Sequence, residues 1–232
     1  MRERPILFKG AMVRAILAGQ KTQTRRAVKP APPAGHSWAG WCGYSTAPAD
    51  EGKAVWSVGD GPLMIEPHRV ACPFGQPGDR LWVRETFLPD PESDHDAWDG
   101  HTDTFVSWSG CGSRVNGVPP ALRSSKHCIY RADWTGPDLV WRPSIHMPRW
   151  ACRIVLEITA VRVERLQAIS ARDCQAEGIR SDAGGGFHVE DGTHYSAHPD
   201  ESFASLWTST GGDWDSNPWV WVIEFKRAEV QP

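Results

Sequence analysis

Seven consecutive residues, Gln20-Lys21-Thr22-Gln23-Thr24-Arg25-Arg26, carry no apolar side chain. They follow a short helix pattern: Ala11 to Ala18 places Met12, Ala15, Ile16 and Leu17 on one face, and Gly19 stands where a left-handed C-cap ends it. A core strand alternates apolar with polar residues. The composition of these seven therefore predicts a segment that is not buried against hydrocarbon on either face.

The rest of the chain must build the core around that segment. Cys152 through Val163 is the strongest strand signal, with Ile154, Leu156, Ile158 and Ala160 alternating against Arg153, Val155, Glu157 and Thr159. Gly78-Asp79 reads as a turn into the β-rich run Leu81–Phe87, and His127–Arg131 and Trp219–Phe225 are further strand candidates. Ser170 with Asp173 makes a capping box for a helix that reaches Glu177 and stops at Gly178, and Asp200–Trp207 forms another helix. Residues 30–69, 88–126 and 180–200 are loop-like, the first rich in Pro, Gly and Trp, the second acidic between Asp90 and Asp103. No regular βαβ alternation appears. The expectation is an α+β chain, a small mostly antiparallel barrel with a few flanking helices and long loops, forming one domain over residues 1–232.

Charge and cysteine usage narrow the function classes. Residues 1–30 hold eight basic side chains against Glu3 alone, so the remainder of a chain with net charge −3 is acidic. That balance argues against broad, nonspecific duplex binding and leaves a local cationic mouth for one polar or anionic ligand. Arg2, Arg4 and Lys29 read as solvated surface. The six cysteines contain no C-x-x-C pair, which excludes a zinc ribbon and a redox motif and points to free thiols. His188, His194 and His198 lie in a Gly-rich stretch that lacks the look of an ordered ligand set, so no metal site and no cofactor are expected. No apolar run is long enough to span a membrane, and Lys9 and Arg14 interrupt the N-terminal apolar stretch, so the expected compartment is the cytoplasm.

Ile16-Leu17-Ala18-Gly19-Gln20-Lys21-Thr22-Gln23-Thr24-Arg25 resembles the I-L-x-G-x-K-T-x-T-x-R signature of ASCH domains, which have a PUA-like barrel. Gly78-Asp79 before the Trp82 strand, the 152–163 strand, the 166–178 segment and the final strand follow in the order that family shows. The match covers about half of the chain, and residues 30–69, 88–126 and 180–200 look like insertions of its longer phage- or metagenome-type members. The resemblance implies a link to RNA and modified bases. In one branch it implies an amidohydrolase that removes the acyl group from N4-acetylcytidine without a metal. The catalytic residues of that branch fall here on Lys21, Thr24 and Glu177.

Hydrolysing an N4-acyl cytosine requires a nucleophile, a proton acceptor and donor, and a group that holds the oxyanion. Lys21 can serve as base if desolvation and the neighbouring Arg25 and Arg26 depress its pKa, with Thr24 as nucleophile and Glu177 as acid. Equally, Glu177 can activate water while Lys21 and Thr24 bind the oxyanion. In a regular strand Lys21 and Thr24, three apart, point to opposite faces, so convergence needs Lys21 in the turn after Gly19 or a bulge. Taken singly, Lys21 reads as a solvated lysine past a helix end, Thr24 as a plain strand residue and Glu177 as a surface residue before a glycine. Further substrate-binding candidates are Arg25, Arg26, Trp82, Arg84, Glu85, Tyr130, Ser144, His146 and Trp150, the last three within the proline-stiffened segment 143–150. The substrate expected is a small modified nucleoside or base. The alternative is a module that binds RNA or a modified base, or a ribonuclease.

Overall fold

The computed structural model describes residues 1–59, 65–89, 115, 118, 120–136 and 139–228. In chain order the elements are β1 (Glu3–Leu7), α1 (Gly10–Leu17), β2 (Gln23–Ala27), β3 (His36–Trp41), β4 (Ala54–Val58), β5 (Ile65–Val70), β6 (Arg80–Arg84) and β7 (Phe87–Pro89). They continue with β8 (Cys128–Tyr130), β9 (Val155–Arg165), α2 (Ala171–Ala176), β10 (Arg180–Ser181), β11 (Phe187–His188), α3 (Pro199–Ser209) and β12 (Trp219–Arg227). The architecture is α+β, with few helices and mostly antiparallel sheets. Among the described residues no sheet closes on itself; the longest strand order, β1-β6-β9-β12-β2, has β1 and β2 as its ends. No described helix is long and apolar enough to cross a membrane.

The chain groups into two compact units. The first comprises residues 1–20, 79–157 and 226–232. There β1 runs parallel to β6, with Ile6 opposite Val83, and β6 runs antiparallel to the start of β9, with Leu81 opposite Leu156. These four side chains are buried, and α1 adds Met12, Val13, Ala15 and Ile16 to the buried set. The buried stripe of α1 thus includes Val13 in place of the expected Leu17, and Gly19 does take the positive φ of a helix-ending glycine, +71°. Phe87, Tyr130, Met147, Cys152 and Val155 form a second apolar cluster under the β7–β8 pair.

The second unit comprises residues 21–78 and 158–225. It contains β2 and β12 in antiparallel register, the rest of β9, and the helices α2 and α3. Two expectations are corrected in this unit. Residues 30–69 are not an irregular surface loop: they hold the antiparallel sheet β3-β4-β5, because Val55, Trp56 and Val58 supply β-preferring side chains and the turn at Gly52 reverses the chain between β3 and β4. Trp56 at its centre has no exposed surface. The segment after Gly19, expected to meet hydrocarbon on neither face, meets it on one, where Thr24 and Arg26 lie opposite Ile223 and Trp221, while Gln20 and Thr22 are exposed. Gln23, Thr24 and Arg25 are buried strand residues, with Lys21 buried just ahead of them, and on the other face ion pairs replace the apolar partners that an ordinary core strand would have. Residues 180–200 begin as a small hairpin, Arg180–Ser181 against Phe187–His188. The acidic stretch between Asp90 and Asp103 and Cys111 lie outside the described residues; the five described cysteines are free thiols.

Trp56 fills the space under the three-stranded sheet, so Trp56→Ala is expected to cost about 3–5 kcal/mol of stability, read as a lowered urea midpoint.

Candidate functional site

Two backbone hydrogen bonds place the chain ahead of β2. Thr22 N–H donates to the Ala176 carbonyl at 2.9 Å, and Phe225 N–H donates to the Thr22 carbonyl at 2.8 Å. Thr22 is thereby held between the end of α2 and the last apolar residue of β12. Lys21, one residue earlier, comes to lie beside Glu177, one residue past Ala176. The helix end is itself well specified: Ser170 and Asp173 form a complete capping box at its start, and Gly178 (φ +100°) turns the chain away at its finish.

Lys21 Nζ donates to Glu177 Oε2 at 2.7 Å and to the Glu177 carbonyl at 2.8 Å. Both side chains are almost wholly buried, at 2% and 4% exposure. The other carboxylate oxygen, Oε1, lies 3.3 Å from Arg25 Nη1. Arg25 Nη2 in turn reaches Glu164 Oε2 at 3.0 Å and Asp173 Oδ2 at 3.3 Å. A second arginine, Arg162, closes the network through Glu164 at 2.5 Å, Asp173 at 2.9 Å, Gln23 at 3.2 Å and Glu224. Gln23 and Arg25 stand on one face of β2, opposite Glu224 and Val222 of β12, so strand alternation alone delivers two members of the network to one side.

Burial is the main influence on Lys21, pushing its pKa below the ordinary lysine value; Glu177 opposes that shift, and Arg26 and Arg25 reinforce it. Arg26 is also lowered by burial, with Glu177 opposing. Asp173 feels burial most, which alone would raise it. The Ser170 hydrogen bonds together with Arg25 and Arg162 outweigh that and hold its carboxyl below the usual range. Cys174, fully buried on α2, is pushed up to about 12 by desolvation and is therefore a thiol, not a nucleophilic thiolate.

Of the residues singled out from the sequence, Lys21, Thr24, Arg25, Arg26 and Glu177 belong to this unit. Lys21 precedes the first residue of β2, so strand alternation does not dictate its direction. Thr24 is buried on the face of β2 opposite Arg25, paired with Ile223 and sharing that face with Arg26. Trp82, Arg84, Glu85, Tyr130, Ser144, His146 and Trp150 belong to the other unit. There Arg84 lies over the Trp82 ring at 5.5 Å and donates to the Ser144 carbonyl at 3.1 Å. Glu85 forms a two-pronged pair with Arg153 at 2.9 Å on each oxygen, and burial raises its pKa despite that partner. Arg153 also meets Asp133 and stacks over Tyr130 at 3.9 Å. His146 is exposed, and Trp150 packs on the apolar cluster.

Glu164, Arg162 and Arg153 escaped the sequence reading. The first two stand two apart on β9, a charged pair on one strand face that was the available signal; nothing in the spacing announces Arg153. His188, His194 and His198 do not form a ligand set: His188 bonds the Val189 carbonyl, His194 the Ser205 hydroxyl, and His198 stands at the N-cap position of α3 without a side-chain cap bond. Among the described residues no group of three or more His, Cys, Asp or Glu side chains is arranged to hold a metal ion. Compared with protein-family models, curated proteins and solved structures, the chain matches none.

Removing the shared carboxylate takes from Lys21 its buried counter-charge, while Arg25 keeps Glu164 and Asp173. Glu177→Ala is expected to cost about 3–5 kcal/mol, whereas the paired change Lys21→Met with Glu177→Leu costs much less; urea unfolding of both variants checks this. A second expectation concerns pH. Because the folded-state pKa of Lys21 lies below its unfolded value near 10.5, the unfolded chain binds more protons between the two. Its contribution is unfavourable at low pH and improves as pH rises through that window. The stability difference between wild type and Lys21→Met should therefore shift toward wild type on going from pH 7 toward pH 10.

Proposed function

We propose that the chain is an amidohydrolase that removes the acyl group from N4-acylated cytosine nucleosides or bases, as its ASCH-like signature implies. The observation that carries this reading is the buried Lys21–Glu177 pair: a lysine pushed toward its neutral form, joined by a 2.7 Å hydrogen bond to a carboxylate that is itself anchored by Arg25. Such a pair can exchange one proton internally without moving a heavy atom. A dry site makes each proton shift more consequential than it is in water.

The proposed steps balance around that exchange. Lys21 passes a proton to Glu177 along their hydrogen bond and becomes a free amine. Thr24 attacks the acyl carbonyl carbon while its hydroxyl proton goes to Lys21. The C–N4 bond breaks as Glu177 returns its proton to N4, releasing cytosine or cytidine and leaving the acyl group on Thr24. Water then attacks the ester, giving a proton to Glu177 while Lys21 protonates the departing Thr24 oxygen, and a carboxylic acid leaves. The internal proton shift reverses and restores the starting pair. The PUA-like barrel belongs to this same proposal, of which the observed α+β strand arrangement is the coarser part.

The test follows the ultraviolet spectrum of N4-acetylcytidine toward cytidine with purified protein. Wild type should convert it, and Lys21→Ala and Glu177→Gln should each lower kcat/KM by about 10²–10⁴-fold. Acid-quenched protein should carry an acetyl group on Thr24. Turnover without acylation, and undiminished in Thr24→Ala, would transfer the attack to water activated by Glu177. Absence of turnover with acetyl and bulkier acyl groups, together with salt-sensitive RNA binding, would replace the enzyme with an RNA-binding module.

A further inference from the structure

The face of β2 opposite the ion network meets aromatic rings. Trp221 of β12 stands opposite Arg26, two residue pairs from the Ile223–Thr24 pair, and strand alternation puts Trp221, Arg26 and Thr24 on one side. On Trp221 lies Trp41, the last residue of β3, with ring centroids 6.0 Å apart and planes inclined by only 29°. Trp56 abuts Trp221 edge-on at 6.3 Å, and Trp38 meets both Trp41 and Trp56 edge-on at 5.7 and 5.2 Å. All these residues belong to the unit that holds Lys21 and Glu177.

Two features of this cluster bear on a ligand. Trp221 and Trp56 have no exposed surface, whereas Trp41, stacked on the first, is 43% exposed. Among the described residues, the indole N–H groups of Trp56 and Trp221 are buried without an acceptor. Buried donors left unpaired are costly, and two in one aromatic cluster call for a partner.

We infer that Trp41 and Trp221 are the two jaws of an aromatic clamp for the pyrimidine ring of the substrate, with the Trp56 indole, edge-on to Trp221, as a donor to a ring acceptor. The inference rests on the amidohydrolase reading for the identity of the ligand. A cytosine ring offers a flat π-face to each jaw and acceptors, O2 and N3, on one edge, one of which the Trp56 N–H can meet. A ring sandwiched between two others needs centroids about 7 Å apart, twice an optimal carbon–carbon contact. Trp41, stacked directly on Trp221, therefore swings outward on entry by one ring thickness, roughly 3.5 Å, which its position on the rim permits. The clamped ring lies beside Arg26, next to the Thr24 position. The segment 30–69 then has a function that its sequence did not announce: β3 brings the outer jaw.

The test uses quenching of intrinsic tryptophan fluorescence by cytidine, with 5,6-dihydrouridine, whose ring is not planar, compared against uridine. Cytidine should quench and saturate. Trp41→Ala should weaken cytidine binding by about ten-fold or more, the scale of one base–aromatic stack, and raise KM for N4-acetylcytidine in proportion, with the loss falling on KM rather than kcat. Trp41→Phe should restore most of both. Dihydrouridine should bind more weakly than uridine. Unchanged Kd and KM in folded Trp41→Ala overturn the clamp and leave the amidohydrolase standing, as does dihydrouridine bound as tightly as uridine. Cytidine binding that depends on Trp41 in a protein without hydrolytic activity sustains the clamp and removes the enzyme. Failure of wild type to bind either cytidine or N4-acetylcytidine overturns the clamp.

Discussion

The carboxylate of Glu177 is the constraint around which this half of the molecule is arranged. One of its oxygens meets Lys21 and the other Arg25, and its backbone carbonyl takes a further donor from Lys21. Burying any one of these charges without its opposite would be costly. The arrangement is reciprocal, and it dictates local structure: β2 must lie against the C-terminal end of α2, Thr22 must be pinned between Ala176 and Phe225, and Gly178 must turn the chain away after Glu177. A polar segment that looks unsuited to a core becomes a core strand because its partners are also charged.

That same reciprocity explains what was legible in the sequence and what was not. Local signals translated well. The capping box at Ser170, the left-handed glycine after α1 and the alternation that marks β9 each depend on residues a few positions apart, and each appears where the sequence puts it, although β9 starts three residues later than the alternation suggested. The polar segment misled because alternation is a rule about hydrocarbon. A strand can be buried with any pattern if every charge meets its opposite, and the opposites here come from 139 to 156 residues away. The sheet within residues 30–69 was hidden for a different reason. Its turns are rich in Gly and Pro, and its strands are short and tryptophan-rich, so windowed periodicity dilutes them although Trp56 ends fully buried.

The candidate site divided along similar lines. Lys21 and Glu177, paired through the ASCH-like signature, do meet in space. The ring of residues named around Trp82, Glu85 and Tyr130 belongs to the other unit, where Arg153 binds Glu85 in a bidentate pair and covers the Tyr130 ring. No short-range pattern links Glu85 to Arg153, which is 68 residues away. Pairings of that kind become visible only when strands are registered, as β6 and β9 are here.

β2 thus separates two chemistries across its thickness. Gln23 and Arg25 project into a lattice of carboxylates and guanidinium groups that leaves little conformational freedom, while Thr24 and Arg26 share the other face with Trp221 and Ile223. A strand with period two is an efficient way to do this, since consecutive residues are forced to opposite sides at fixed spacing. Lys21 stands ahead of β2, so alternation assigns it to neither face; its place is set by Glu177. Any displacement of β2 relative to α2 or β12 disturbs both faces at once, which makes the register of this edge strand, more than any single side chain, the quantity on which the site depends.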